Sequence, residues 1–224
     1  MTVQALEAED ADMDRMFEIA SLAFDHNEPL WDVFWPQHWE AEGRSKGAER
    51  MRETRNTDTH TKYVKAVDTV TGVIMGMSKW NIYANNTLPD MGEIKYIKNF
   101  WKDDEELAFA TTMTGLFVQE RNAAIKASGG NLVSLDILAI DPKYQRRGVG
   151  GKLVEWGTGK ADELGVEAVV ESSVFGKGLY EKHGYVFKKD CVVSVPGPRE
   201  HIKGEFACGD FYETTISGLP RLVE

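Results

Sequence analysis

The sequence predicts a mixed α/β fold with one central sheet and helices on both of its faces. Residues 132–140 form an apolar run typical of a buried strand, and Asp141-Pro142 ends it because proline removes a ladder donor. A helix that opens at Gly148 and a second apolar stretch at 167–171 follow. Earlier, residues 61–83 have the pattern of an antiparallel hairpin around a turn at 68–72.

The N-terminal part predicts three elements before this hairpin. Residues 2–6 are a short strand, and Asp10 caps a helix whose apolar positions recur at helical spacing. Residues 40–58 are rich in charge and predict an exposed helix.

An aromatic cluster lies between these two helices. Trp31, Phe34, Trp35 and Trp39 fall within nine residues. Two interpretations remain open: a small satellite core under a loop, or one wall of an apolar ligand pocket.

The second half continues the alternation of helices and strands. Residues 84–102 are less regular and predict an insertion, and Asp103 opens one long helix that ends at Ser128-Gly129-Gly130. The apolar face of this helix predicts packing in the core and no catalytic role. Strands at 185–196 and 205–217, joined by a polar loop at 197–204, are expected to close the sheet.

The helix after Gly148 is expected to end at Gly165 and to bury four apolar residues. These are Val149, Leu153, Trp156 and Leu164. Gly157 and Gly159 inside it each cost about 1 kcal/mol relative to alanine, so we expect close backbone packing at both.

The turn before this helix has the features of an anion site. Glycines 148, 150 and 151 leave the free N–H groups of the first turn accessible, and four cations lie beside them. These cations are Lys143, Arg146, Arg147 and Lys152. A Walker A loop is excluded because Leu153 follows Gly151-Lys152, where that motif has serine or threonine. A dinucleotide-binding fingerprint is excluded because Leu153 stands at the position of its third glycine.

Composition excludes several classes of protein. The 224 residues suit one domain, and the formal net charge of −10 argues against a nucleic-acid partner. The acidic N-terminus lacks a signal-peptide core and no apolar run reaches about 18 residues, which predicts a cytoplasmic protein without a membrane partner. The five histidines lack ligand spacing, so no metal is expected.

The pattern Gln145-x-x-Gly148-x-Gly150 resembles the pyrophosphate motif of the GNAT (GCN5-related N-acetyltransferase) superfamily. A strand precedes it, and Leu179-Tyr180-Glu181-Lys182-His183-Gly184-Tyr185 is similar to a second family segment. The resemblance implies a mostly antiparallel sheet, splayed where acetyl-CoA binds. It also implies one domain over 1–224 with an acetyl-CoA-binding core at 132–187, acting as a monomer or homodimer.

The resemblance also implies a set of site residues. Acetyl-CoA is expected to contact the following residues: Leu138, Ala139, Ile140, Gln145, Arg146, Arg147, Gly148, Val149, Gly150, Gly151, Lys152, Ser173, Gly176 and Tyr180. Tyr180 matches the tyrosine that serves as general acid in the family. Ser134 and Asp136 stand where the similar arylalkylamine acetyltransferases carry two histidines.

Asp136 is the first candidate for the general base, because a carboxylate in an apolar strand is costly unless it has a partner or a function. Glu171 at the end of the next strand is the second candidate.

The function expected from these residues is N-acetylation of a small-molecule amine. Trp31, Phe34, Trp35, Ser134 and Asp136 are the candidate acceptor-binding residues. Two alternatives stay open: acetylation of a protein lysine or N-terminus, and a non-catalytic acyl-CoA-binding module.

Overall fold

The computed structural model describes residues 2–86, 88–89, 100–195 and 204–214. In this part of the chain, seven strands form one sheet in the order β1-β2-β3-β4-β5-β7-β6. The strands are β1 (Val3–Glu7), β2 (Thr61–Asp68), β3 (Ile74–Tyr83), β4 (Leu132–Ile140), β5 (Glu167–Ser172), β6 (Tyr185–Val195) and β7 (Gly204–Thr214).

The sheet is antiparallel at every pair except β4 and β5, which run parallel. These two strands pair only from Leu132 with Glu167 to Leu135 with Val170. Beyond that point β4 continues beside β3, and β5 continues beside β7. The sheet therefore opens between β4 and β5, which confirms the predicted mixed, mostly antiparallel and splayed architecture.

Seven α-helices surround this sheet in the described residues. They are α1 (Met13–Phe24), α2 (Pro29–Phe34), α3 (Ala41–Thr57), α4 (Asp104–Phe117), α5 (Gln119–Ala127), α6 (Val149–Leu164) and α7 (Lys177–Lys182). One core cluster joins α6 to the central strands, and a second joins α1 and α3 to them. Helices thus lie on both faces, as predicted.

Three helix predictions differ from the structure. The helix predicted from Asp103 is two helices, because the chain breaks at Val118 between α4 and α5. A 3-10 turn, Asp10–Asp12, precedes α1, and Glu9 with Asp12 forms its capping box instead of Asp10 alone. The helix expected to be exposed, α3, buries a face of small residues and Met51 against α1.

The packing of α6 follows the prediction only in part. Val149 and Leu153 are buried, but Leu164 is 44% exposed. A Cβ atom on Gly157 would lie 2.2 Å from Cζ2 of Trp80, so this glycine permits close packing of α6 on β3. Apart from its chain neighbours and the backbone of α6, none of the described residues has a heavy atom within 4 Å of a Cβ built on Gly159, and the expectation of close packing there is wrong.

Some predicted segments fall largely outside the described residues. The insertion predicted at 84–102 is described only at 84–86, 88–89 and 100–102, and the loop at 197–204 only at Gly204. None of the described helices has the length and apolar character needed to span a membrane.

The contrast between the two glycines of α6 gives a matched test. Gly157→Ala should destabilise the protein by about 1–3 kcal/mol, because its new methyl group overlaps the buried Trp80 ring. Gly159→Ala should stabilise it by up to about 1 kcal/mol through helix propensity alone. Urea unfolding of both variants measures the difference, and equal free energies of unfolding would contradict the close approach at Gly157.

Candidate active site

A cavity of about 890 Å³ lies where β4 and β5 separate. Its base is formed by the divergent ends of these strands and by β3, and its sides by α2, α4 and α5. The lining combines aromatic rings with several ionisable groups. Such a mixture in a concave site is typical of a pocket that binds and orients a small molecule.

A β-bulge sets the direction of Asp136 at the base of this cavity. Lys79 of β3 lies opposite Ile137 and Trp80 lies opposite Leu135, so Asp136 is an extra residue in β4. The Nζ atom of Lys79 donates to Oδ2 of Asp136 at 2.6 Å. The bulge thus brings a lysine and an aspartate together on two neighbouring strands.

Arg121 of α5 connects the two strands across the opening. Its Nη1 atom donates to Oδ1 of Asp136 at 2.7 Å, and its Nε atom donates to Oε2 of Glu171 at 3.1 Å. Asp136 and Glu171 directly follow the last residues of β4 and β5 that pair with each other. The Arg121 side chain is 6% exposed and that of Glu171 is fully buried, so these charges depend on one another for compensation.

Arg121 was not among the predicted site residues, and its segment, which was expected only to pack in the core, also lines the cavity. Arg121 lies one turn before Ile125 on the buried face of α5, and a charged residue on such a face is unusual enough to be a sequence signal.

The environment moves the pKa values of the two carboxylates in opposite directions. Burial would raise the pKa of Asp136, but Lys79 and Arg121 outweigh it and hold that pKa far below its usual range. Burial raises the pKa of Glu171, and its pairing with Arg121 offsets only part of this rise. Asp136 is therefore a weak proton acceptor, which disfavours its expected role as the base.

Glu28, the residue before α2, is another carboxylate in the cavity lining, which also includes Asp58. It is half-buried, and burial raises its pKa while the nearby Ser173 side chain lowers it by less. Among the described residues, Glu28 makes no ion pair with a lysine or arginine. Glu28 was not among the predicted site residues, although an acid three residues before the first tryptophan of the aromatic cluster was a usable signal.

Tyr180 lies in α7, lines the cavity and is 6% exposed. Burial raises the pKa of its phenol, which stays protonated at neutral pH. A Cβ atom on Gly176 would lie 2.7 Å from Cε2 of Tyr180 and 2.9 Å from Oγ of Ser172. Gly176 therefore gives the Tyr180 ring its space.

The aromatic cluster fits both of the interpretations left open by the sequence. Trp31, Phe34 and Trp35 line the cavity. Trp31 and Trp35 are also core residues, with ring centroids 6.2 Å and 5.0 Å from that of Phe17. Trp39 does not line the cavity and is 44% exposed.

Ser134 lies apart from the cavity. It is completely buried, and its Oγ is 3.5 Å from Nδ2 of Asn81, which itself lines the cavity. The bulge at Asp136 changes the strand alternation from which we expected Ser134 and Asp136 to act together.

The glycine turn joins β4 to α6 and is exposed from Gln145 to Gly148. Arg146 and Gly148 have left-handed backbone conformations, with φ of 60° and 82°, and Gly148 is the residue before the helix. The first N–H groups of α6 have no carbonyl acceptor one turn earlier. With the exposed Arg146 and Arg147 beside it, this helix start can hold an anion.

The remaining residues expected to contact acetyl-CoA differ in accessibility. Leu138 and Ser173 line the cavity, whereas Ala139 and Val149 are buried in the core. Lys152 pairs with Glu155 at 2.6 Å on the helix surface. Gly150 and Gly151 approach Leu179 and His183, so they also serve the packing of α6 against the α7 region.

Residues 100–187 match the family model described as acetyltransferase (GNAT) domain. No curated protein sequence matches the chain significantly. Arylalkylamine N-acetyltransferase 2 from Aedes aegypti has a similar structure, with a TM-score of 0.64 at 16% identity over 97% of this chain and 100% of that one.

Two further structures are similar over nearly their full lengths. A Corynebacterium glutamicum protein described as histone acetyltransferase HPA2 and related acetyltransferase has a TM-score of 0.60 at 16% identity, covering 99% of this chain and 100% of that one. PaiA N-acetyltransferase from Thermoplasma acidophilum, solved with coenzyme A, has a TM-score of 0.54 at 11% identity, covering 96% of this chain and 99% of that one. At these identities the likeness concerns the fold.

The pairing of Asp136 predicts a pH-dependent contribution to stability. Because its folded pKa is lowered, this contribution is present in full above the unfolded pKa of about 3.9 and is lost as the pH falls below it. Asp136→Asn should therefore cost about 3–5 kcal/mol at pH 7 and progressively less toward pH 3.

Urea unfolding between pH 3 and 7 measures this cost, with Asp14→Asn as a control on an exposed pair with Arg52. The control should change stability by less than about 1 kcal/mol. A cost of Asp136→Asn that does not change with pH would contradict the proposed pairing.

Proposed function

We propose that this protein transfers an acetyl group from acetyl-CoA to the primary amine of a small molecule, because residues 100–187 match the GNAT acetyltransferase domain model and the chain has the GNAT fold. The observation that carries the proposal is the cavity at the opening between β4 and β5, which combines an aromatic wall with ionisable groups. We extend the proposal to one acetyltransferase domain over residues 1–224.

The donor would lie along the unpaired edge of β4 and on the start of α6. Beyond Leu135 the β4 backbone has no partner in β5, so N–H and C=O groups between Leu138 and Ile140 are available to an extended pantetheine arm. The residues from Gln145 to Lys152 would hold the pyrophosphate through backbone N–H groups and the charges of Arg146 and Arg147. These features fit acetyl-CoA, which supplies an activated thioester carbonyl when bound.

Glu28 is the residue that we propose as general base, in place of Asp136. An amine acceptor must lose a proton to attack a carbonyl, and alkylammonium groups have pKa values near about 10.4. Asp136 has two cationic partners and Glu171 has Arg121, whereas the raised pKa of Glu28 makes it the better acceptor at neutral pH. Ser173, next to Glu28, would orient the carboxylate.

Tyr180 is the proposed general acid. A thiolate leaves the tetrahedral intermediate more easily when a proton is delivered to its sulfur. The phenol of Tyr180 is protonated at neutral pH, and its position in the cavity lining supports the assignment. Gly176 and Ser173 would also contact the donor.

The acceptor is proposed to be a compact amine with an aromatic or aliphatic body. Trp31, Phe34 and Trp35 offer apolar surface whose burial contributes about 25 cal/mol per Å² before ordering costs. Asp136, held as a carboxylate by Lys79 and Arg121, would act as a fixed charge at the base of the cavity rather than as a proton acceptor.

A pH profile distinguishes the two candidate bases. Glu28→Gln should lower kcat by about 10²- to 10⁴-fold and remove the acidic limb of the kcat/KM profile, because it removes the carboxylate that we propose accepts the proton. Asp136→Asn should retain that limb even if its rate is lower. If Glu28→Gln keeps the limb and Asp136→Asn loses it, Asp136 is the base and the assignment is reversed.

A thiol-release screen with acetyl-CoA tests the acceptor class. We expect higher kcat/KM for phenylethylamine-type amines than for polyamines or lysine peptides. Phe34→Ala should reduce that preference by about tenfold, since a tenfold change corresponds to about 1.4 kcal/mol of lost contact. Trp39→Ala, outside the cavity, serves as control and should leave the preference unchanged.

A peptide preference in the wild-type protein would favour protein acetylation instead. Absence of thiol release with every acceptor, in a protein that binds CoA, would favour a non-catalytic acyl-CoA-binding module.

A further inference from the structure

Three side chains that commonly bind metal ions meet around α2, outside the residues assigned to catalysis. His26 precedes the helix, Asp32 lies on it and His38 follows it. Nδ1 of His26 is 3.0 Å from Oδ2 of Asp32, and Nε2 of His38 is 2.9 Å from Oδ1. All three ligand atoms lie within 4.8 Å of one another. His26 and His38 thus meet in the structure although they lack ligand spacing in the sequence.

The hydrogen bonds of Ser21 fix the tautomer of His38. The Ser21 hydroxyl donates its only hydrogen to the His38 backbone carbonyl at 2.7 Å. At 2.9 Å from Nδ1 of His38, the same oxygen must then accept, so Nδ1 carries a hydrogen. In a neutral imidazole this leaves a lone pair on Nε2, the atom that faces Asp32.

This arrangement brings two acceptor atoms together in a buried environment. The Nε2 lone pair of His38 and the Oδ1 lone pairs of Asp32 are 2.9 Å apart, and His38 is completely buried. Two acceptors at this distance repel each other unless a cation lies between them. That cation is either a proton, which makes His38 an imidazolium, or a metal ion.

We propose that His26, Asp32 and His38 form a binding site for one divalent transition-metal ion of the Zn²⁺ class. Two imidazoles and one carboxylate are a common zinc ligand set that leaves a fourth position for water. Ligand atoms about 2.1 Å from a tetrahedral ion lie about 3.4 Å from one another. Small side-chain shifts would bring the three observed ligand atoms to this spacing. Ser21 supplies the partner that orients His38, and the exposed side chain of His26 gives the ion access.

The site would connect the metal to the wall of the acceptor cavity. The helix α2 has six residues, too few to be stable without tertiary contacts. Trp31 and Phe34 on this helix line the cavity, while Asp32 belongs to the metal site. An ion bound by residues before, within and after α2 would hold these two rings in position.

Calorimetric titration of the untagged, chelator-treated full chain with ZnCl₂ at pH 7.5 tests the site. The wild-type protein should bind one Zn²⁺ per chain, and Co²⁺ should give the visible absorption of a nitrogen- and oxygen-ligated ion. His26→Gln and Asp32→Asn should each weaken binding by more than about tenfold, because even outer partners of metal ligands contribute 10- to 100-fold. His60→Gln, a histidine outside the cluster, should bind like the wild type.

His26 is more than half exposed, so His26→Gln retains a folded protein even if Asp32→Asn does not. Circular dichroism of each variant checks this. Saturable binding that requires His26 supports the site. Binding weaker than millimolar in the wild type, or equal binding in His26→Gln, would overturn the proposal and leave a proton as the shared cation.

Discussion

Arg121 is the residue on which the arrangement of the cavity depends. Hydrogen bonding between β4 and β5 stops at Leu135 and Val170, and the next residue of each strand is an acid that pairs with the Arg121 guanidinium. A planar group with several donors can bind two carboxylates at once, which an ammonium group does less well. Ion pairing thus replaces strand pairing where the sheet divides, and the strands remain at a fixed separation.

The separation gives each side of the cavity a different chemistry. On one side, the edge of β4 that leaves β5 and the nearby helix start after Gly148 carry the backbone groups that we propose bind the donor. On the other side, α2 contributes Trp31 and Phe34 next to Glu28. The buried pairing keeps Asp136 and Glu171 occupied with structural partners. The proposed proton acceptor is consequently a carboxylate on the helical wall and not one on the strands.

Local patterns sufficed for much of this fold. The apolar run of β4, the glycine turn and the capping glycine at Gly165 predicted the central elements, because each depends on neighbours in the chain. Arg121, Glu28 and the pair of His26 and His38 were missed, because their partners lie on other elements and their local sequence signals are weak. The bulge at Asp136 likewise depends on pairing with β3, and it changed the expected relation of Ser134 to the cavity.

A double-mutant cycle on Arg121 and Glu171 tests the bridge between the strands most directly. Glu171→Gln should destabilise the wild-type protein, because it removes a buried partner of Arg121. In the Arg121→Met background the same change should stabilise the protein, because Glu171 is then a fully buried carboxylate without its cation. Urea unfolding of the four proteins gives both values. If Glu171→Gln changes the free energy of unfolding equally in the two backgrounds, Arg121 does not hold β4 and β5 together through Glu171.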